Sequence, residues 1–308
     1  MKYVAVLFAV LTMAWLLFDC VTSKAAPSAA SAAVAESSAP GGLATWVWDE
    51  ATVVTPGTRR ELLEFVRAKG VDNLFVHAAA DYERDGPFEA LAQLVSSASQ
   101  QRTSVMFVGG DPSWGSTSHR SDALAFLDRA RRLETRLADR GLSHWGRVLF
   151  DIEPYLLPAW KTSPQDAAAQ YADTLRSLRA ASRAATLEVW HTIPFWFPTY
   201  EVEGRSLDRI AIEQSDRVIV MAYRNSARDV QSIATPILEH ASELGKRVVV
   251  AIETECVEPS YVTFCGKSAD DLEVAIRDLE SALSTSRAFA GLAVHSSASW
   301  RLLDTHPR

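Results

Sequence analysis

Two hydrophobic periods alternate along this chain. Short runs rich in Val, Ile, Leu, Phe and Trp are each followed by a longer stretch in which apolar residues return every three or four positions. The runs fall at 44–50, 73–79, 104–110, 147–153, 186–193, 217–224, 247–255 and 291–296, and they read as strands. Helices are expected between them at 58–69, 87–100, 121–140, 164–184, 207–214, 227–244 and 269–285. The third helix is the plainest: Leu124, Leu127, Ala130, Leu133 and Leu137 form one stripe, with Asp128, Arg129, Arg131 and Arg132 off it.

Eight strands alternating with seven helices predict an α/β fold with a parallel sheet. Eight is also the number that closes a β/α ring, so residues 43–308 are read as a single eight-stranded parallel β/α (TIM-type) barrel. The short tail after Trp300 predicts that the last helix is short or missing. An open doubly wound sheet is the competing topology. It usually carries a Gly-rich phosphate loop after its first strand, but here that strand ends Trp46-Val47-Trp48-Asp49-Glu50 and no GxGxxG follows.

The start of the chain departs from this rhythm. Lys2 precedes an apolar run over residues 3–18, and Ala-rich sequence follows, so residues 1–26 are read as a secretory signal peptide or an uncleaved membrane anchor. An anchor would be the chain's only membrane association; otherwise the product is expected to be secreted or periplasmic. Asp19 stands before Cys20, where a lipid-attachment signal requires a small residue. Residues 27–42, rich in Ala, Ser, Pro and Gly, read as a flexible linker. Cys256 and Cys265 remain, nine residues apart, and in an exported chain they are expected to form a disulfide; metal binding, with no CxxC or His-rich spacing beside them, and free thiols are the alternatives.

Composition narrows the partners. The net charge of −7, from 31 Lys and Arg against 38 Asp and Glu, argues against nucleic-acid binding. Nine Trp is a high count, and several stand where strands end, as sugar-stacking faces or as packing.

The active end of such a barrel is where its strands finish. Read in order, those ends offer Trp48 and Asp49, then His77, then Asp111 and Trp114, then Asp151 and Glu153, then His191 and Trp196, then Tyr223 and Arg224, then Glu253 and Glu255, then His295 and Trp300. The opposite ends are plainer, with Arg147, Arg217 and Arg247 entering their strands. Asp151 and Glu153 are two apart, so they leave the strand on one face. Acids, His, Tyr and Trp at one rim suit glycosidic bond cleavage, which needs a proton donor for the leaving oxygen and a second group at the oxocarbenium-like centre. Glu153 is the expected acid, kept protonated by crowding from Asp151. The second group is either Glu253 or Glu255 as a nucleophile, or the substrate's own acetamido group oriented by Asp151 and held by Tyr223. The other rim residues are expected to bind substrate. Both acids could instead be structural partners of rim arginines, and Glu255 could merely flank the disulfide loop. His77, His191 and His295 could converge on a metal, yet no HxH pair follows the first strand, and neither metal nor cofactor is expected.

Asp151-Ile152-Glu153 resembles the end of the family 18 chitinase signature DxxDxDxE, Met221-Ala222-Tyr223 resembles that family's sixth-strand MxY motif, and Trp300 is similar in place to its eighth-strand Trp. Gly146 and Leu149 stand in place of the signature's two earlier acids, and Arg224 stands where that family has Asp. Glu153-Pro154 and Thr254-Glu255 also resemble segments of the large retaining clan with its acid on strand four and its nucleophile on strand seven, with Ile152 replacing the clan's Asn. Either resemblance implies a barrel glycoside hydrolase acting on a polysaccharide or glycan. A catalytically inactive carbohydrate-binding barrel and a metal-dependent hydrolase are the alternatives.

Overall fold

The computed structural model describes residues 42–142 and 146–305. The expected signal segment and nearly all of the expected linker lie outside these residues. The barrel strands are β1 (Gly42–Val47), β2 (Asn73–His77), β3 (Ser104–Gly109), β4 (Arg147–Phe150), β5 (Glu188–Pro194), β6 (Arg217–Met221), β7 (Arg247–Glu253) and β8 (Phe289–His295). All run parallel, each beside its neighbours in sequence, and β8 pairs with β1 to close the ring. Gly42, expected at the end of the linker, is the first residue of β1, paired with Gly291 of β8. A Cβ on Gly291, whose φ is +119°, would lie 2.1 Å from the Gly42 carbonyl oxygen, so this seam needs the bare backbone.

Helices α1 (Pro56–Lys69), α2 (Asp85–Gln100), α3 (Arg120–Asp139), α4 (Pro164–Ala184), α5 (Leu207–Gln214), α6 (Ala227–Glu243), α7 (Ala269–Leu283) and α8 (Ser297–Thr305) surround the ring. The last is short, as the tail predicts. Local signals set their ends. Pro56 opens α1 and Gly70 closes it in the left-handed region, while Ser268 and Asp271 form a reciprocal capping box at the start of α7.

Strand alternation sorts the residues into two cores. One set, including Trp46, Phe75, Met106, Leu149, Trp190, Ile219 and Val249, fills the barrel. The other, including Val76, Phe107, Phe150, Val220 and Ile252, meets the apolar stripes of the helices. The lower end is stoppered by Trp190, with the Arg217 guanidinium 4.4 Å and that of Arg147 5.6 Å from its ring centroid. Arg217 titrates near 10 because of burial and the charges of Arg147 and Arg247. The upper end carries acids and histidines, among them Asp151, Glu253, His77 and His295.

Candidate active site

The site follows from strand parity. Leu149 points into the barrel, so Asp151 does too, and the strand then releases Glu153 with Pro154 behind it. The same alternation brings Trp48 above Trp46, His77 above Phe75, Thr192 above Trp190, Tyr223 toward the space above Ile219, Glu253 above Ala251 and His295 above Ala293. Gly110, after β3, makes room for β4: a Cβ there would lie 1.8 Å from the Asp151 carbonyl oxygen.

The Thr192 hydroxyl donates to Asp151 Oδ1, and the Tyr155 hydroxyl donates to Glu153 Oε1 at 2.5 Å. Both acids are half-buried, and both are pushed above the ordinary carboxylate range. Burial is the chief cause in each case; the Asp151 charge adds to the shift at Glu153, while the Tyr155 hydrogen bond acts against it. Tyr223 is raised by burial first and then by the charges of Glu253, Asp151, Glu153 and Glu255.

Glu253 is held differently. Its Oε1 accepts from the backbone N–H groups of Thr254 at 2.8 Å and Glu255 at 2.7 Å, and His295 Nδ1 lies 3.0 Å from Oε2. The Trp48 indole N–H donates to His295 Nε2 at 2.9 Å, which fixes the tautomer: Nδ1 carries the proton and donates to Glu253. Burial would lower His295, but its hydrogen bond to Glu253 and the charges of Glu253, Glu255 and Asp151 outweigh it and raise the imidazole. The indole N–H at Nε2 acts against a second proton. Only 6% of the Glu253 side chain is exposed.

Asp151, Glu153, Glu253, Tyr223, Trp48, His77 and His295 therefore share the mouth, with the Trp48 and His77 rings 6.1 Å apart. Burial and the nearby Arg129 charge lower His77. Glu255 stands beside them and accepts from the Ser296 hydroxyl at 3.1 Å.

Two of the expected substrate contacts, His191 and Trp300, are packed in the core. His191 is one residue out of phase with Trp190 and Thr192, so it faces the helices. It is fully buried, stacked on Phe150, with Nδ1 2.8 Å from the Ser215 hydroxyl, and burial takes it down to about 3. It is a core histidine, and the three expected histidines do not converge. Among the described residues no three His, Cys, Asp or Glu side chains gather as a metal-binding set. Trp300 lies on α8, 1% exposed, edge-on to Phe65 of α1, and thus belongs to the outer core rather than the mouth.

Asp49 and Asp111 are exposed turn caps: one accepts from Ala51 N at 2.9 Å, the other from Ser113 N at 2.8 Å and Ser113 Oγ at 2.6 Å. The Ser113 bonds hold Asp111 below the usual carboxylate range. Trp114 packs on Phe126, and Trp196 sits among Tyr155, Trp160, Phe197 and Tyr200. Arg224 donates to its neighbour's carbonyl, Tyr223 O, at 2.6 Å.

Sequence reasoning missed Thr192 and Tyr155, the two hydroxyls that bind the central acids. Each had a signal: Thr192 shares the parity of Trp190, and Tyr155 is two residues beyond Glu153. The expected disulfide between Cys256 and Cys265 is present, with Cα atoms 5.0 Å apart.

No protein-family model matches the chain, and no curated protein matches it in sequence. Solved structures do share its fold. The exo-beta-1,4-mannosidase Op5Man5 from Opitutaceae bacterium strain TAV5 aligns with a TM-score of 0.54 and 12% identity, over 83% of this chain and 52% of that one. A monomeric beta-xylosidase from Caulobacter crescentus CB15 aligns with a TM-score of 0.54 and 14% identity, over 82% of this chain and 59% of that one. The GH39 enzyme from Xanthomonas axonopodis pv. citri gives 0.53 and 14%, over 84% and 59%. This chain thus spans between half and three-fifths of the length of those enzymes. The chain is a closed β/α barrel distantly similar in fold to the barrels of glycoside hydrolases.

Proposed function

We propose that this protein hydrolyses glycosidic bonds in a glycan bound at the upper mouth of the barrel, with Glu153 as the proton donor. The observation that carries this reading is the Asp151–Glu153 pair. Two half-buried carboxyls leave one strand on one face, both are raised by burial, and the outer one is raised further by the inner one's charge. A carboxyl whose proton is held more tightly than usual is what a leaving glycosidic oxygen needs.

The second group is the substrate's own 2-acetamido oxygen. Glu253 supports this choice by being occupied: three donors hold its carboxylate and little of it is exposed. Glu153 gives its proton to the leaving oxygen, the C1–O bond breaks, and the acetamido carbonyl oxygen closes on C1. Water then opens that ring, returning a proton to Glu153. Asp151, anchored by Thr192, holds the acetamido N–H, and Tyr223 donates to its carbonyl oxygen. Residues 1–26 serve as the export signal in this proposal, and a disulfide suits an oxidising compartment.

The test is hydrolysis of paired aryl glycosides, with and without the 2-acetamido group. Glu153→Gln is expected to lower kcat on the acetamido substrate at least about a hundredfold while KM stays near its starting value. Turnover unaffected by Glu153→Gln removes the proposal. Equal cleavage of the 2-hydroxy partner, abolished by Glu253→Gln, would instead make Glu253 the nucleophile.

A further inference from the structure

We propose that Tyr261 is a sugar-stacking platform beside the mouth, so that the protein binds an oligomeric glycan chain rather than a single sugar unit. The inference rests on the glycan-binding reading above, but not on the identity of the catalytic groups.

Large side chains exposed on a folded surface are informative where they gather on one functional end. Of the five large apolar side chains exposed among the described residues, Val274 and Leu302 lie on α7 and α8, while Leu156, Val257 and Tyr261, 58%, 41% and 56% exposed, lie on the loops that follow β4 and β7. Of these, only Tyr261 presents a flat aromatic face. Its loop leaves the barrel directly from Glu253 and is fastened back to it. The Phe264 N–H donates to the Glu253 carbonyl at 2.8 Å, the Thr263 hydroxyl donates to Glu255 O at 2.6 Å, and the Cys256–Cys265 disulfide joins the two arms. A second tie comes from the segment that follows β6. Asn225, two residues after Tyr223, donates its backbone N–H to Tyr261 O at 3.0 Å and its side-chain N–H to Ser260 O at 3.1 Å.

The ring itself is braced from one side. The Arg224 guanidinium lies over Tyr261 at 5.3 Å and over Phe195 at 4.9 Å, so a ladder runs from the loop after β5, across the end of β6, to the loop after β7. Arg224 was expected to touch substrate; in this arrangement it supports the residue that does. With a cation behind one face and more than half its surface exposed, Tyr261 offers its other face to solvent. A ring held in place by a cross-linked loop loses little freedom on binding, which favours stacking against the C–H face of a pyranose.

Binding on the full chain carrying Glu153→Gln tests this, by calorimetry with two-unit and six-unit chito-, manno- and xylo-oligosaccharides. At least one six-unit sugar is expected to bind more tightly than its two-unit partner. Tyr261→Ala should weaken that six-unit sugar roughly tenfold and narrow the gap, while Tyr261→Phe and Tyr261→Trp should preserve it. Equal six-unit affinity with and without the Tyr261 ring overturns the platform. So does the absence of binding by every six-unit sugar. Tyr261-dependent binding by a protein whose parent cleaves none of these sugars keeps the platform and removes the hydrolase reading. Cleavage by a protein indifferent to Tyr261→Ala does the reverse.

Discussion

At the scale of single residues, the mouth spends stability on its acids. Asp151 and Glu153 are each raised by burial, so the folded state binds their protons more tightly than the unfolded chain does. Their contribution to stability is complete below the ordinary carboxylate pKa and is lost as pH rises through the raised values. Keeping such groups is costly without a function, and the hydroxyls of Thr192 and Tyr155 offset only part of that cost. Tyr155 also tunes the proposed acid, because a hydrogen bond donated to Glu153 favours its ionised form. Activity that needs protonated Glu153 should fall as pH rises through its pKa. Tyr155→Phe removes the stabiliser of the carboxylate, so the alkaline limb of the pH–rate profile should move to higher pH. A limb that stays put or moves to lower pH would show that this limb does not belong to Glu153.

Elements decide whether those residues meet. The loop after β3 and the first residue beyond β4 touch so closely that position 110 must lack a side chain: a Cβ would lie 1.8 Å from Asp151 O, and backbone cannot yield as the tip of a side chain can. Gly110→Ala should therefore push Asp151 and Glu153 out of place together. The expected result is a stability loss of about 2–3 kcal/mol with turnover falling more than tenfold. Denaturant melts and kcat on the same preparation check it; full activity would mean that the two segments separate freely. Element geometry also explains His191. Its strand is correctly anticipated, but one step of alternation turns the side chain from the mouth to the helix layer, where it stacks on Phe150 and meets Ser215.

At the scale of the whole molecule, ring closure makes the site a single place. His295 and Trp48 are 247 residues apart in sequence and hydrogen-bonded only because β8 lies against β1. That seam depends on Gly291, whose φ of +119° and 2.1 Å approach to Gly42 O exclude any side chain. Gly291→Ala is expected to cost on the order of 3 kcal/mol, lowering Tm by about 6–12 °C. Calorimetry reads this directly, and an unchanged Tm would mean that the seam opens at little cost.

The sequence by itself determined the barrel. Its eight apolar runs, its helical stripes and the capping residues between them are local signals, and local signals fix strand and helix order wherever neighbours in sequence are neighbours in space. It also determined the Asp151–Glu153 pair, since a two-residue spacing on a strand fixes a common face, and it anticipated the Cys256–Cys265 cross-link. Tertiary structure alone decided the rest. Trp300 and His191 share residue types with the mouth but are fully buried away from it, because their orientation depends on helix placement and strand phase. Thr192, Tyr155 and Tyr261 are ordinary residues in sequence. They matter because packing brings a hydroxyl to each acid and a braced ring beside the mouth, through contacts between segments that no single stretch of chain encodes.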